Sequence, residues 1–258
     1  STLDFFQGEH DGYLRLDAPA VHSRAVLFLK GDYWVICDRI RTDGKHHVAL
    51  HWHWAPDIML CSGEETVEAR IDGSDGSRVN ARVFFRAGRL SCQQAWVSPT
   101  YGARTPAPIS LLDVESDGTV ELVTLIAKST AGVRFEDCVW RAGAHNDSGL
   151  LTISTASTVD TILTGPTTCA AGPRDGVVSD AAYTWVRRSL SGELLAFAIV
   201  NGRKLVVDER TEFRADSVID CAIGHDVAGR WRVDVQSDRR TAISTSTRIE
   251  ESCAAFAE

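Results

Sequence analysis

The sequence lacks most of the features that would place it at once. No run of 18 or more apolar residues occurs among its 258 positions, so no membrane-spanning helix is expected. No charged-then-apolar leader opens the chain, which starts at Ser1. That start fits an excised or processed piece of a longer protein and leaves the compartment unassigned. The seven cysteines, Cys37, Cys61, Cys92, Cys138, Cys169, Cys221 and Cys253, include no CxxC pair, which argues against a finger or ribbon metal cluster. Most sit in apolar runs such as VIC and DCVW, where a free thiol acts as a small hydrophobe, so they are read as reduced and structural. There is no GxSxG elbow for a serine nucleophile and no glycine-rich phosphate loop leading into a helix. Acidic residues are abundant but evenly spread, and no glycosidase carboxylate pair stands out. The net charge of −8 argues against a nucleic-acid partner. Lysine is scarce (Lys30, Lys45, Lys128 and Lys204), so arginine carries almost all of the positive charge. Its planar fork suits carboxylate and sulfate, but a GC-rich genome would produce the same skew.

Helical periodicity is missing too: no apolar 3.6-residue repeat persists over a dozen positions. Short β-branched and aromatic runs recur instead, among them AVLFL, YWVIC, ARVFF, VELVTLIA, VRFEDCVW, AYTWVRR, LLAFAIV, KLVV, SVIDCAI and WRVDVQ. Gly, Asp, Ser and Pro bound them. Turns are expected at Lys30-Gly31-Asp32, Asp43-Gly44, Asp72-Gly73, Asp117-Gly118, Ser191-Gly192 and Asn201-Gly202. Asn201-Gly202, between LLAFAIV and RKLVV, is the strongest hairpin signal, because a type I′ turn needs positive φ at both central positions. The expected fold class is all-β: a two-layer antiparallel β-sandwich of many short strands, read as one domain over residues 1–258. Any sub-boundary falls in the Gly-, Pro- and Thr-rich loop at 164–180.

Six of the eight histidines, His10, His22, His46, His47, His51 and His53, fall in the first fifth of the chain. Imidazole is the side chain most easily tuned near neutral pH, so such a cluster is a site or the neighbour of one. His22, Asp38 and His53 are chemically suitable zinc ligands. If residues 30–32 form a three-residue loop, Leu29 pairs with Tyr33, Arg24 faces Asp38, and His22 lies on the same face. A two-residue loop shifts the register by one and separates His22 from Asp38. His53 lies too far along the next strand to share an ion with them, and an Arg24–Asp38 pair on a polar sheet face is the plainer expectation. His51 and His53 alternate with Trp52 and Trp54, so imidazoles and indoles take opposite faces of one strand. The indole face is expected in the core, with a sugar-binding platform as its alternative. The imidazole face is expected in solvent, against a ligand or against another domain.

The segments HDGYLRL, PAVHSRAVLFLKGDYWVICDRI and GKHHVALHWHWAPD resemble, in order, the C-terminal region of heparinase II/III-like proteins, which are bacterial polysaccharide lyases and their relatives. The matching residues are His10 to Tyr13, His22 and Arg24, Asp38 and Arg39, Gly44 and His46, and His53, Ala55 and Pro56. A second element, AWVSPTYGARTPAPIS, matches through Trp96, Ser98, Tyr101 and Gly102. The match covers residues 7 to about 110; the rest agrees only as a β pattern.

This resemblance implies an α/α-toroid domain in front, a β-sandwich behind, and β-elimination on uronate-containing polysaccharides. The family's catalytic and metal-binding elements belong before the first residue of this chain. No catalytic residue is therefore carried over. No metal residue is either, beyond the weak candidates His22, Asp38 and His53, and a divalent ion such as zinc is expected only in a full-length protein. His10 and Tyr13 are the expected substrate contacts, since they follow the missing site segment. The implied partners are the upstream toroid and an acidic polysaccharide, in a bacterial periplasm or cytoplasm. The chain alone is expected to be catalytically silent, with a freestanding carbohydrate-binding module or a structural assembly domain as alternatives.

Overall fold

The computed structural model describes residues 3–62, 66–71, 78–84, 88–128, 131–142, 149–165, 167–168, 176–225, 231–236 and 242–245. The turn expected at Asp72-Gly73, residues 166 and 169–175 of the loop at 164–180 (Cys169 among them), and Cys253 lie outside them. The strands are, in chain order, β1 (Leu3–His10), β2 (Ala20–Leu29), β3 (Tyr33–Thr42), β4 (His46–His53), β5 (Ile58–Ser62), β6 (Thr66–Ile71), β7 (Arg78–Phe84), β8 (Arg89–Val97), β9 (Thr105–Ser116) and β10 (Val120–Lys128). There follow β11 (Val139–Ala142), β12 (Gly149–Ser154), β13 (Thr158–Thr164), β14 (Thr167–Thr168), β15 (Val177–Ser179), β16 (Tyr183–Ser189), β17 (Leu194–Val207), β18 (Arg210–His225), β19 (Trp231–Gln236) and β20 (Ile243–Thr245). Pairing is antiparallel across the registered ladders, as the all-β expectation requires. The described chain divides into two compact units, one running from Asp4 to Val133 and the other from Arg134 onward together with Leu3.

The first unit is a two-layer sandwich. One layer has the order β1-β2-β3-β10-β7-β6-β5 and the other the order β4-β9-β8. Leu50, Leu112 and Val114 of the smaller sheet meet Val120 and Leu122 of the larger, with Ile40, Val48, Trp52 and Leu90 packed around them. The turns at Asp43-Gly44 and Asp117-Gly118 are not hairpins. Each carries the chain from one layer to the other, β3 to β4 and β9 to β10. Thr42 Oγ1 donates to the Gly118 carbonyl at 2.8 Å and ties the two crossings together.

In the second unit one sheet supplies both layers. Ala196 to Ile199 of β17 pair with Cys221 to Gly224 of β18 and lie beside β16. Lys204 to Val207 pair instead with Arg210 to Arg214 of β18 and lie beside β15. The register slips between these stretches, at Ile199/Gly202 and Gly202/Lys204, and bulges of this kind let a strand turn a corner. Residues from both sides of the bend, Phe197 and Ile199, Leu205 and Val207, Phe213 and Ile223, share one core.

Two sequence expectations are corrected here. Asn201-Gly202 is the corner of a continuous strand and not a hairpin. Asn201 takes the left-handed conformation with φ 56°, and Gly202 lies so close to Ala181 that a Cβ would sit 2.4 Å from the alanine's Cβ. The hairpin lies at Asp208 and Glu209, with φ 48° and 66°, between Val207 and Arg210. The run VRFEDCVW is a strand only from Val139. Phe135–Asp137 form a 3₁₀ turn held by Asp137 N–H to the Arg134 carbonyl and an Arg134–Asp137 ion pair.

Cys37, Cys92, Cys138 and Cys221 are free thiols. Burial pushes the thiols of Cys37 and Cys221 up, the second to about 12, so both stay protonated at neutral pH. Ellman's reagent at pH 8 should therefore modify half-buried Cys92 well before either of them in the native protein. Gly202→Ala should lower stability by about 1–3 kcal/mol through overpacking against Ala181. Gly118→Ala, which opens into free space, should stay within about 0.5 kcal/mol. Thermal unfolding of both variants checks the contrast.

Candidate functional site

The first segment of interest is the turn after β1. Leu14 N–H bonds the Asp11 carbonyl at 2.9 Å and Leu16 N–H bonds that of Tyr13 at 3.2 Å, closing a 3₁₀ turn over Gly12–Arg15. The His10 ring folds over this turn and meets the Tyr13 ring edge-on, with centroids 5.1 Å apart. Gly12 is what permits it, since a Cβ there would lie 2.5 Å from His10 Cε1. The His-Asp-Gly-Tyr order thus has a local cause. His10 and Tyr13 are both exposed, and Phe6, Leu14 and Leu16 of the same segment are exposed large apolar side chains.

The second centre is a buried carboxylate. Residues 30–32 form the three-residue loop, with Gly31 at φ 89° and Asp32 N–H bonded to the Leu29 carbonyl. Leu29 therefore pairs with Tyr33 and Arg24 with Asp38. Asp38 is 1% exposed. Its Oδ1 accepts from Arg24 Nε at 2.7 Å and lies 2.6 Å from His22 Nε2, and its Oδ2 accepts from an Arg24 terminal nitrogen at 3.1 Å. Across the sandwich, the Arg24 guanidinium lies 5.3 Å from the Trp52 ring centroid. On the other face of β2 and β3, Glu9 accepts from Arg41 at 2.7 Å and Ser23 at 2.8 Å. Those two bonds, Arg41 first, hold its carboxyl below the usual carboxylate range.

The structure brings His22 and Asp38 together and leaves His53 apart. Trp52 turns toward Arg24, so by strand alternation His51 and His53 lie on the opposite, outward face of β4. Among the described residues no three His, Cys, Asp or Glu side chains gather as a metal site. The indole side packs inward as expected. Trp52 joins the core, and Trp54 Nε1 donates to Ser110 Oγ at 2.9 Å.

Two further groupings were not expected from the sequence, although Trp96, Ser98, Tyr101 and Gly102 belong to its second matching element. Arg104 stacks at 4.1 Å from the centroid of the exposed Trp96 ring, and fully exposed Tyr101 stands in the turn between them. Ser98 Oγ closes that turn on the carbonyls of Thr100 and Ala103, and Gly102 sits at φ 77°. In the second unit Asp160, with no exposed surface, receives both Nε and a terminal nitrogen of Arg187 at 2.8 and 2.7 Å. Arg187 lies in turn 5.2 Å from the Trp185 ring centroid.

With that geometry in place, comparison with known proteins adds the following. A family model described as heparinase II/III-like, C-terminal, matches residues 1–150. Among solved structures, a heparinase III is similar with TM-score 0.51 and 15% identity over 63% of this chain. A second heparinase III gives 0.50 and 15% over 74%. A heparan sulfate lyase, HepC from Pedobacter heparinus, gives 0.48 and 18% over 60% of this chain and 24% of its own. The chain spans about a quarter of the two heparinase III chains, 26% of each. No curated protein matches it.

Asp38→Asn should cost about 2 kcal/mol, because it removes the charge from a buried carboxylate that Arg24 bonds twice, while the Arg24 side chain, 37% exposed, keeps contact with water. His22→Ala removes one hydrogen bond and should cost about 1 kcal/mol. Urea denaturation midpoints of the two variants should fall in that order.

Proposed function

The chain belongs to the heparinase II/III-like C-terminal family, and we propose from that membership that it is the β-sheet rear portion of a polysaccharide lyase acting by β-elimination on uronate-containing polysaccharides. The observation that carries the reading is the family match over residues 1–150, on a fold like that of two heparinase III chains. In such a reaction a base takes the proton next to the uronate carboxylate while that carboxylate is neutralised. A Tyr or His then protonates the departing oxygen. The catalytic set is assigned to an upstream α/α-toroid domain of the parent protein, and so is any divalent ion such as zinc. This chain supplies a wall of the substrate cleft.

Within the chain, His10 and Tyr13 are the substrate contacts. What supports this is their mutual packing and joint exposure on a turn that Gly12 shapes. Both can donate a hydrogen bond to a sugar hydroxyl or carboxylate. His22 and Asp38 are occupied with Arg24 and act structurally.

One observation favours a second reading, a glycan-holding module without cleavage. Trp96 is half exposed, is backed by Arg104, and has exposed Tyr101 nearby, which suits stacking on sugar rings.

Incubation with heparan sulfate and with other uronate polysaccharides, read by the ultraviolet absorbance of the unsaturated uronate product, separates the two. The 258 residues alone should form no product, and a longer protein that includes the upstream domain should. His10→Ala and Tyr13→Phe in that longer protein should lower kcat/KM by about 10-fold each, roughly one lost hydrogen bond to substrate. Product from the chain alone would overturn the reading. So would a longer protein that binds polysaccharide and never cleaves it.

A further inference from the structure

We propose that His51 and His53 form a two-imidazole site for a borderline divalent transition-metal ion, such as copper(II), on the outward face of the β4-β9-β8 sheet. The two residues are separated by one position on β4, so both side chains leave the same face about 6.6 Å apart along the strand. Their rings already lie nearly parallel, at 16°, with centroids 6.2 Å apart. Ring nitrogens sit at the periphery of each imidazole, and turning both rings inward brings one nitrogen from each toward a single ion. Imidazole nitrogen is the donor that copper(II), nickel(II) and zinc(II) favour.

The surroundings single out this pair. His22 is engaged by Asp38 at 2.6 Å and His47 by Asp113 at 3.1 Å. His51 and His53 face Leu111 and Ile109 of β9 across the ladder, and neither aliphatic side chain offers a hydrogen-bond donor that would occupy a ring lone pair. The nitrogen lone pairs are thus free to ligate. The backbone beneath them is held firmly: Leu50 is buried, and Trp52, between the two histidines, packs into the core against Arg24. The spacing of the two donors is therefore set before any ion arrives, which reduces the entropy lost on binding. Two imidazoles leave the remaining coordination positions open to water or to a carboxylate from outside. The other charged groups on this face are His47, Asp113 and Glu115, with Arg89 opposite Asp113 on β8.

The test is calorimetric titration of the full 258-residue chain with copper(II), backed by electron paramagnetic resonance of the one-to-one complex. One equivalent should bind, with a spectrum showing two nitrogen donors. His51→Ala and His53→Ala should each weaken it tenfold or more, as loss of one arm of a chelate does. His47→Ala, whose imidazole lies on the same face, should leave it unchanged. All three side chains are exposed, so circular dichroism should be indistinguishable among the variants. Binding that survives the His51→Ala/His53→Ala double variant would overturn the proposal. So would several weak equivalents reduced equally by His47→Ala, which marks adventitious binding only.

Discussion

The register between β2 and β3 is the constraint on which the first unit depends. It is set by one loop, residues 30–32, whose glycine takes the left-handed conformation at φ 89°. Three residues in that loop put Arg24 opposite Asp38 and His22 within reach of the same carboxylate. A buried carboxylate needs such partners, because an unpaired charge in a low-dielectric interior costs several kcal/mol. Removing one residue from the loop would turn His22 to the other face and strip Asp38 of a donor. The same pairing then organises the opposite layer, since Arg24 also supplies the cation against which Trp52 packs.

The second unit reaches a comparable end by other means. Its Asp160–Arg187 pair, like Asp38–Arg24, joins a buried carboxylate to an arginine directly across an antiparallel ladder, and that arginine too lies near an indole. Its layers come from the corner in β17 and β18, where bulges and the near contact of Gly202 with Ala181 let one long hairpin serve both. In the first unit the chain crosses between separate layers, and Thr42 ties two of those crossings, the short turns after β3 and β9, together. Both solutions let each strand bury one face while satisfying its backbone in a ladder.

These frameworks set out surfaces of different character. The turn carrying His10 and Tyr13 is a short, glycine-dependent feature that presents polar rings among exposed apolar side chains. The outward face of β4 presents imidazoles whose spacing comes from the strand itself. The turn near Trp96 offers stacked and exposed rings. The first and third are turns held by their own hydrogen bonds, and the second takes its geometry from a paired strand.

Much of the local structure was legible in the amino-acid order. The all-β class, most strand positions and the inward turn of Trp52 and Trp54 follow from alternation and turn residues, whose effects act over a few positions. The Leu29–Tyr33 pairing stood as one of two registers until the structure selected it. The resemblance carried by residues 7–110 also pointed to the family. What the order of residues left open was decided by long-range packing. Asn201-Gly202 looks like a hairpin turn in isolation and becomes a corner only because Ala181 stands against Gly202 and the ladder continues to Val207. Arg104 on Trp96 and Arg187 on Asp160 join residues whose meeting depends on strand pairing. The chain's own sequence determined which residues could form strands and which faces they would bury. Only the tertiary structure decided which strands met, because antiparallel pairing rewards many registers nearly equally until the core and its buried charges select one.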